Sequence, residues 1–218
     1  PEPLHAIFRP LFVTAFCLAD FLAANHFFGA SQLLFSSASS KTAYATAFCL
    51  RRQSDINSIA LTSHENREFV KSSGLYEDAL SYDELERLDP AVSTVYVDIA
   101  GNSGLQHKVH QRFGPNLAYD CSVGAAQSLV PPRPDRQMSG PRPEFFFAPD
   151  WIEKRHKDWG VGAFNERVTE ATIAFYRHLS DKHLLEISEG RGLDAAKDIL
   201  GDMLKGRTEP VRGHVIRP

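Results

Sequence analysis

Short apolar runs alternate with amphipathic segments along the first half of the chain. Five such runs, each followed by turn-forming residues, predict strands at residues 32–37, 56–62, 79–82, 94–100 and 116–124. The intervening segments have helical spacing at residues 42–50, 62–74 and 105–113. Strands that alternate with helices at this interval indicate βαβ units. The pattern therefore predicts an α/β fold, a doubly wound parallel sheet with helices on both faces.

Two of the predicted helices begin with the spacing of a capping box. Thr62 and Glu65 precede the second helix, which we expect to end at Gly74. Ser81 and Glu84 precede a brief helix after the third strand, and proline at position 90 limits its length.

The pattern changes after the fifth strand. Residues 125–144 are predicted to form a Pro-rich loop, because residues 129–143 contain five prolines, which neither a helix nor a central strand tolerates. A long loop at this edge of a sheet is either a binding lid or a surface excursion. Beyond it the pattern predicts strands at residues 145–148, 184–187 and 211–216, and helices at residues 149–158, 163–180 and 193–206.

The N-terminal segment is the most apolar part of the chain. A membrane span needs about 20 uninterrupted apolar residues, and Asp20, Asn25 and His26 interrupt residues 11–28. A signal peptide would need a basic start and a small-residue cleavage site, which this segment lacks. We therefore expect residues 1–30 to form a helix and linker that packs on two sides. The first residue is proline rather than methionine, which indicates a fragment of a longer protein.

Composition narrows the class of protein. A net charge of −3 argues against a broad electrostatic contact with nucleic acid or an anionic membrane, and 43% apolar residues suffice for the core of one domain. The three cysteines, Cys17, Cys49 and Cys121, are too widely spaced for a disulfide framework or a zinc site. We expect a soluble, cytoplasmic protein that acts on a small molecule, with no nucleic-acid or membrane partner.

The turn after the first strand is where a doubly wound sheet usually carries its chemistry. A dinucleotide fold places glycines there, so that backbone N–H groups reach a diphosphate at the start of the next helix. Here residues 36–43 read SSASSKTA and contain no glycine. Serine hydroxyls and Lys41 are alternative partners for phosphate. The competing interpretation is that the serines only cap the helix.

The end of the second strand bears on the choice between NADP and NAD. An NAD site usually has an acidic residue there for the ribose 2′-hydroxyl, whereas a 2′-phosphate favours hydroxyl and guanidinium groups. Capping explains Glu65 better than ribose binding does, while Ser63, Asn66 and Arg67 suit a phosphate. We therefore expect NADP rather than NAD if a dinucleotide binds. The alternative is an ordinary solvated helical turn.

The sequence gives little support for a P-loop, for two other catalytic motifs or for a metal site. A P-loop would need glycine at the positions of Phe35 and Ser40. The chain has no Tyr-x-x-x-Lys pair, which a short-chain reductase would have, and no Gly-x-Ser-x-Gly elbow, which an α/β-hydrolase would have. His107 and His110 share a helix without an evident third metal ligand, so no metal site is expected. At the end of the fourth strand, Asp98 is expected to make a structural hydrogen bond, with a catalytic carboxylate as the alternative.

Five segments of the chain resemble a known family. They are RPLFVTAF, LLFSSASSKTAYATAFCL, IALTSHENREFVKSSGLYEDALSY, VYVDIAGN and FFFAPDWI. They are similar to an uncharacterised domain-of-unknown-function family, which itself resembles the zinc-independent medium-chain dehydrogenase/reductases of the quinone-oxidoreductase type. The resemblance implies a Rossmann-type domain that binds NADP(H) in an oxidoreductase acting on a carbonyl or an activated double bond. It also implies an N-terminal GroES-like domain, which this chain does not contain.

The resemblance also assigns roles to individual residues. The serine-rich turn would face the cofactor phosphates, the end of the second strand the 2′-phosphate, Tyr82 the adenosine ribose, and two strand-end glycines the rest of the cofactor. The implied cofactor-binding residues are Ser37, Ser39, Ser40, Lys41, Thr42, Ser63, Asn66, Arg67, Tyr82, Gly101 and Gly124. No catalytic residue is implied. By analogy, edge strands near residues 211–216 would pair in a homodimer. The alternative function is a non-catalytic Rossmann relic that senses nucleotide or serves in assembly.

Overall fold

Six parallel strands form the central sheet of the protein. The computed structural model describes residues 2–123, 138–204 and 209–217. The strands are β1 (Gln32–Phe35), β2 (Asn57–Thr62), β3 (Asp78–Ser81), β4 (Thr94–Asp98), β5 (Leu117–Ser122) and β6 (Glu144–Phe145). Their order across the sheet is β3-β2-β1-β4-β5-β6, and every pair is parallel. This order confirms the predicted doubly wound α/β sheet and places its reversal between β1 and β4.

Seven α-helices accompany the strands in the described part of the chain. They are α1 (Glu2–Ala24), α2 (Lys41–Arg51), α3 (Arg67–Ser73), α4 (Ser103–Phe113), α5 (Ala148–Trp159), α6 (Val161–Asp181) and α7 (Gly192–Leu204). α3 ends at Gly74, whose φ of 66° lies in the left-handed region that glycine adopts without strain. The predicted helix stop at this residue is thus confirmed.

Both faces of the sheet are buried. In β1, Leu33 and Phe35 belong to the apolar cluster that contains α1 and α2, whereas Leu34 belongs to a second cluster. That second cluster receives its helical side chains from α4, namely Leu105, Val109 and Phe113. Alternate residues of one strand therefore meet helices on opposite faces, as expected for a strand buried on both sides.

Helix α1 packs along the sheet rather than standing alone. Phe8, Phe12, Leu18 and Leu22 are among its buried residues, which confirms the predicted packing. Asp20, which interrupts the apolar run, pairs with α5: its carboxylate accepts hydrogen bonds from Trp151 Nε1 at 2.6 Å and from Arg155 Nε at 2.5 Å. Among the described residues, α1 is the one helix with the length and apolarity of a membrane span, and 39% of its apolar window is buried.

The last two strands form a separate sheet. β7 (Glu186–Arg191) and β8 (Arg212–Arg217) pair in parallel over six positions, and α7 connects them. The predicted strand at residues 184–187 was wrong in its bounds, because pairing with β8 extends it to Arg191. The predicted strand at residues 145–148 is also shorter, since only Glu144 and Phe145 pair with β5 before α5 begins.

One of the two predicted capping boxes forms. Ser81 and Glu84 make the reciprocal bonds at the start of a 3-10 turn, as expected. The box predicted for Thr62 and Glu65 was wrong, because Thr62 Oγ1 donates instead to Ser39 Oγ at 3.2 Å. The segment therefore begins with a 3-10 turn, His64–Asn66, that has no side-chain cap.

Candidate functional site

A cleft of about 620 Å³ lies at the carboxyl ends of β1, β3 and β4. Its lining residues are Ser37, Tyr82, Asp83, Ala100, Asn102, Gly104, Leu105 and Lys108. The exposed side chains of Asp83 and Lys108 place opposite charges at its rim. Because the strand order reverses between β1 and β4, this cleft occupies the position where open α/β sheets bind ligands.

Ser36 joins the two strands on either side of that reversal. Its hydroxyl donates to Asp98 Oδ1 at 2.8 Å and accepts the backbone N–H groups of Ile99 and Ala100, both at 2.9 Å. One donor and two acceptor positions are all that a serine hydroxyl has, so the group is fully used. A buried side chain beside the cleft thereby links the carboxyl ends of β1 and β4.

Asp98 is the second member of this bridge and is 3% exposed. Besides Ser36, its Oδ1 accepts hydrogen bonds from the Tyr96 hydroxyl and the Gly101 N–H, each at 3.1 Å. The φ of 61° at Gly101 lies in the left-handed region, which this turn requires. Burial raises the pKa of Asp98, and the bonds from Ser36 and Gly101 oppose that shift. The predicted structural hydrogen bond is confirmed.

The second residue of the serine-rich turn (residues 36–43) has a left-handed backbone conformation. Ser37 has a φ of 49°, a conformation that favours glycine. Its backbone N–H donates to the Tyr82 hydroxyl at 3.2 Å, which brings two of the predicted site residues together inside the cleft. Burial raises the pKa of Tyr82, although the N–H of Ser37 acts in the opposite direction.

Ser39 and Ser40 have different partners. Ser39 Oγ accepts from Thr62 Oγ1 at 3.2 Å and from Asn66 Nδ2 at 3.3 Å, so it keeps its own proton for a further acceptor. Ser40 is the N-cap of α2 and accepts the N–H of Ala43 at 3.3 Å. The capping interpretation therefore holds for Ser40, whereas Ser39 links the turn to the end of β2.

The side chain of Lys41 is directed at the C-terminal sheet. Its Nζ donates to the carbonyl oxygen of Arg212 at 2.7 Å and to that of Pro210 at 3.4 Å. Burial lowers the pKa of this ammonium. The backbone N–H groups of Lys41 and Thr42 lie in the first turn of α2, where N–H groups have no acceptor within the helix. These N–H groups, rather than the ammonium, make the start of α2 suitable for an anion.

Arg67 is held between two elements. Its Nε donates to the carbonyl oxygen of Ala79 at 2.9 Å, and its Nη1 lies 3.0 Å from Glu84 Oε2. The backbone N–H of Ser81, the guanidinium of Arg87 and the Ser81 hydroxyl lower the pKa of Glu84 to about 2. Glu84 is therefore ionised at neutral pH, and Arg67 shares its charge with that carboxylate.

The remaining predicted site residues have fewer contacts. Ser63 is half-buried at the N-cap of the 3-10 turn after β2 and makes no side-chain capping bond. Gly124 and residues 125–137 of the predicted loop lie outside the described residues. The structure thus brings Ser37 to Tyr82 and Ser39 to Asn66, and it directs Lys41 elsewhere. That these residues bind a cofactor stays a prediction.

Several residues at or beside the cleft were not among the predicted site residues. Ser36 and Asp98 bond to each other beside it, and Asn102, which lines it, caps α4 by accepting the N–H of Leu105 at 2.9 Å. The signal for Asn102 was present in the sequence, since an N-capping residue stands three positions before Leu105, the first apolar residue of that helix. No local pattern identifies Ser36 as the partner of a residue 62 positions away.

Outside the cleft, the side chain of His110 is engaged and that of Cys121 is buried. Both ring nitrogens of His110 have partners, Asp120 Oδ2 at 2.7 Å and the carbonyl oxygen of Ser139 at 2.8 Å, so neither is open to a metal. Within the described ranges, no group of three or more His, Cys, Asp or Glu residues is placed to hold a metal ion. Cys121 is fully buried, and burial raises the pKa of its thiol, which suits a packing role.

Comparison with protein families gives one match. The model of a family described as a protein of unknown function (DUF2855) matches residues 1–209. No curated protein matches the chain.

Solved structures share the fold over most of the chain. The yhdH oxidoreductase from Salmonella enterica in complex with NADP matches with a TM-score of 0.60 and 15% identity, over 100% of this chain and 65% of that one. CurA from Vibrio vulnificus in complex with NADPH matches with a TM-score of 0.58 and 14% identity, over 91% and 61%. A protein from Mesorhizobium loti assigned as an NADPH:quinone reductase matches with a TM-score of 0.61 and 15% identity, over 95% and 58%.

These comparisons establish a Rossmann-like fold for the chain. At identities of 14 to 15% they carry the fold alone. The chain spans about three fifths of the length of the solved structures that it matches.

Proposed function

We propose that this chain, which belongs to the DUF2855 family, is the NADP(H)-binding domain of a zinc-independent, medium-chain-reductase-like oxidoreductase acting on a carbonyl or an activated double bond. The observation that carries the proposal is the cleft at the reversal of strand order, between β1 and β4 and beside the start of α2. The structures of CurA with NADPH and of yhdH with NADP, which share the fold, support the choice of cofactor.

The start of α2 supplies the donors for a diphosphate. In this proposal the backbone N–H groups of Lys41 and Thr42 face the anion, at the positive end of the helix dipole. Ser37 and Ser39 contribute hydroxyl protons from the preceding turn. Bound NADP(H) supplies the hydride, while the protein binds and orients the reacting partners.

The end of β2 supplies the contacts for a 2′-phosphate. Ser63, Asn66 and Arg67 follow that strand directly. Two nitrogens of Arg67 are bonded, and its Nη2 has no partner among the described residues. A phosphate would share this guanidinium with Glu84, which limits the attraction that Arg67 exerts. Preference for NADP over NAD therefore depends on a partly neutralised arginine.

Calorimetric titration of the chain with NADPH and with NADH tests the proposal. We expect dissociation constants on the order of micromolar for NADPH and about tenfold higher for NADH, because a charged hydrogen bond is worth about 1.5–3 kcal/mol and Glu84 weakens this one. Absence of binding for both dinucleotides would contradict the proposed function.

Two arginine variants decide whether Arg67 selects NADP. Arg67→Gln is expected to weaken NADPH by about tenfold relative to NADH, while Arg87→Gln leaves the ratio unchanged. Arg87 is the matched control because it also pairs with Glu84, at 2.6 Å, and is more exposed. Equal losses for both dinucleotides in Arg67→Gln would remove the 2′-phosphate assignment and leave a dinucleotide site without preference.

A second candidate function is a Rossmann domain that keeps the fold without binding cofactor. The observation in its favour is that the polar side chains of the site bond to the chain itself: Lys41 to β8, Arg67 to Glu84, and Ser39 to Thr62 and Asn66. Such a domain would fold cooperatively and bind neither dinucleotide, so the same titration separates the two functions.

A further inference from the structure

The cleft contains a donor that the protein satisfies by itself. The Ser37 N–H, at the carboxyl end of β1, bonds to the Tyr82 hydroxyl at 3.2 Å, and both residues line the cleft. Tyr82 is the first residue of the 3-10 turn Tyr82–Arg87, so its side chain reaches the serine turn from the far side of β2. One wall of the cleft is thereby bonded to the other.

The bond from the Ser37 N–H to the Tyr82 hydroxyl is weaker than the neighbouring bonds of Ser36. It is at the long end of the range for N–H···O bonds, and its acceptor is a neutral phenol. By contrast, Ser36 beside it is buried and makes three bonds of 2.8 to 2.9 Å. An anionic oxygen accepts a hydrogen bond about twice as strongly as a neutral group does, so a phosphate outcompetes the phenol at this donor.

We propose that Tyr82 is a displaceable stopper of the diphosphate site, whose hydroxyl occupies the Ser37 N–H until a diphosphate oxygen replaces it. This inference rests on the proposed function. Tyr82 would then set the affinity for the ligand by competition. Without ligand, most molecules have the bond between Ser37 and Tyr82, and the ligand binds only those molecules in which this bond is open. Removal of the hydroxyl leaves the N–H open to the ligand.

The chain offers a matched control for this tyrosine. The Tyr76 hydroxyl also bonds to the serine turn at 3.2 Å, but it donates to the carbonyl oxygen of Ala38. Tyr76→Phe therefore removes a phenol from the same turn without freeing an N–H group, whereas Tyr82→Phe frees the N–H of Ser37. A general loosening of the turn would affect both variants, and competition affects only Tyr82→Phe.

Titration of the ¹⁵N-labelled chain with inorganic pyrophosphate and with NADPH, followed at the Ser37 amide, tests the proposal. In Tyr82→Phe we expect the amide to exchange faster without ligand and pyrophosphate to bind about fivefold more tightly, the factor for one net hydrogen bond. Tyr76→Phe should bind pyrophosphate as the wild type does. NADPH binding should shift the Ser37 amide resonance in the wild type.

The outcomes separate this inference from the function on which it rests. If the wild type binds NADPH but Tyr82→Phe binds pyrophosphate equally or more weakly, Tyr82 is a ligand contact rather than a stopper, and the proposed function stands. Equal gains in Tyr82→Phe and Tyr76→Phe would also overturn the stopper. If no variant binds either ligand, the proposed function fails and the inference fails with it.

Discussion

At the scale of single residues, Ser36 has more structural consequence than the serines that follow it. Its hydroxyl accepts hydrogen bonds from the backbone N–H groups of Ile99 and Ala100, which would otherwise be unpaired. It also donates a hydrogen bond to the buried Asp98. A buried polar group without a partner is costly, so this one hydroxyl holds the carboxyl ends of β1 and β4 at a fixed separation. The geometry of the cleft depends on it.

Ser36→Ala is expected to lower the free energy of unfolding by about 2–4 kcal/mol, because it leaves two N–H groups and one carboxylate oxygen short of a partner. Urea unfolding at 25 °C, followed by circular dichroism, measures the loss. Ser40→Ala is the control, since it removes a single capping bond at α2, worth about 1 kcal/mol. A loss in Ser36→Ala no larger than that of Ser40→Ala would show that the bridge contributes little.

The sequence predicted the conformations and contacts of some residues better than those of others. The resemblance named Gly101 as a strand-end glycine, and the structure shows it in a turn with a left-handed φ of 61°. The left-handed conformation of Ser37 was not foreseen, because serine carries no signal for it. The bonds of Lys41 and Arg67 were also unforeseen, since their partners, Arg212 and Glu84, are set by the tertiary fold.

At the scale of elements, apolar runs located the strands well. β1 to β5 begin within one residue of the predicted positions, because apolar runs bounded by turn residues mark buried parallel strands. β4 ends two residues earlier than predicted, since the N–H of Ile99 leaves the sheet to bond to Ser36 Oγ. β7 was misplaced because its only guide is its pairing with β8, which no local pattern reports.

A buried charge connects α4 to β5. His110 is 1% exposed, and both of its ring nitrogens face acceptors, Asp120 Oδ2 and the carbonyl oxygen of Ser139. A carbonyl oxygen and an ionised carboxylate both accept hydrogen bonds, so this pair of contacts favours the imidazolium form of the ring. Burial lowers the pKa of His110, but the bonds to Asp120 and Ser139 outweigh it and raise the pKa above its ordinary value.

This raised pKa gives folding stability a defined pH dependence. The contribution of His110 is complete below the unfolded pKa of about 6.5 and is lost as pH rises through the higher folded pKa. We therefore expect the difference in unfolding free energy between the wild type and His110→Gln to shrink as pH rises from about 6.5 into the alkaline range. Urea unfolding across that range measures it.

Two other histidines provide controls for this prediction. His178, whose pKa burial lowers, titrates in the opposite sense and cancels in the comparison because both proteins contain it. His107→Gln, on the same helix but half-buried, measures what a histidine-to-glutamine change in α4 does without the bonds to Asp120 and Ser139. A difference for His110→Gln that does not change with pH would mean that the ring is neutral in the folded protein.

At the scale of the whole molecule, Lys41 joins the two sheets. Its backbone belongs to the turn that receives the diphosphate in the proposed function, while its ammonium bonds to the carbonyl oxygens of Pro210 and Arg212 at the start of β8. The small sheet is therefore attached at the carboxyl-end side of β1 in the large one. The ammonium of Lys41 thus has structural partners, while its predicted phosphate contact stays a prediction.

Lys41→Met separates these two roles of the side chain. We expect the amides of β8 to exchange with deuterium faster, because the tether is gone, and the affinity for NADPH to change by less than about twofold, because the ammonium faces carbonyl groups rather than phosphate. Lys108→Met is the control, since its exposed ammonium lies at the rim of the cleft and away from β8. The opposite result, unchanged exchange with about a tenfold loss of NADPH affinity, would mean that the ammonium leaves β8 and binds the diphosphate.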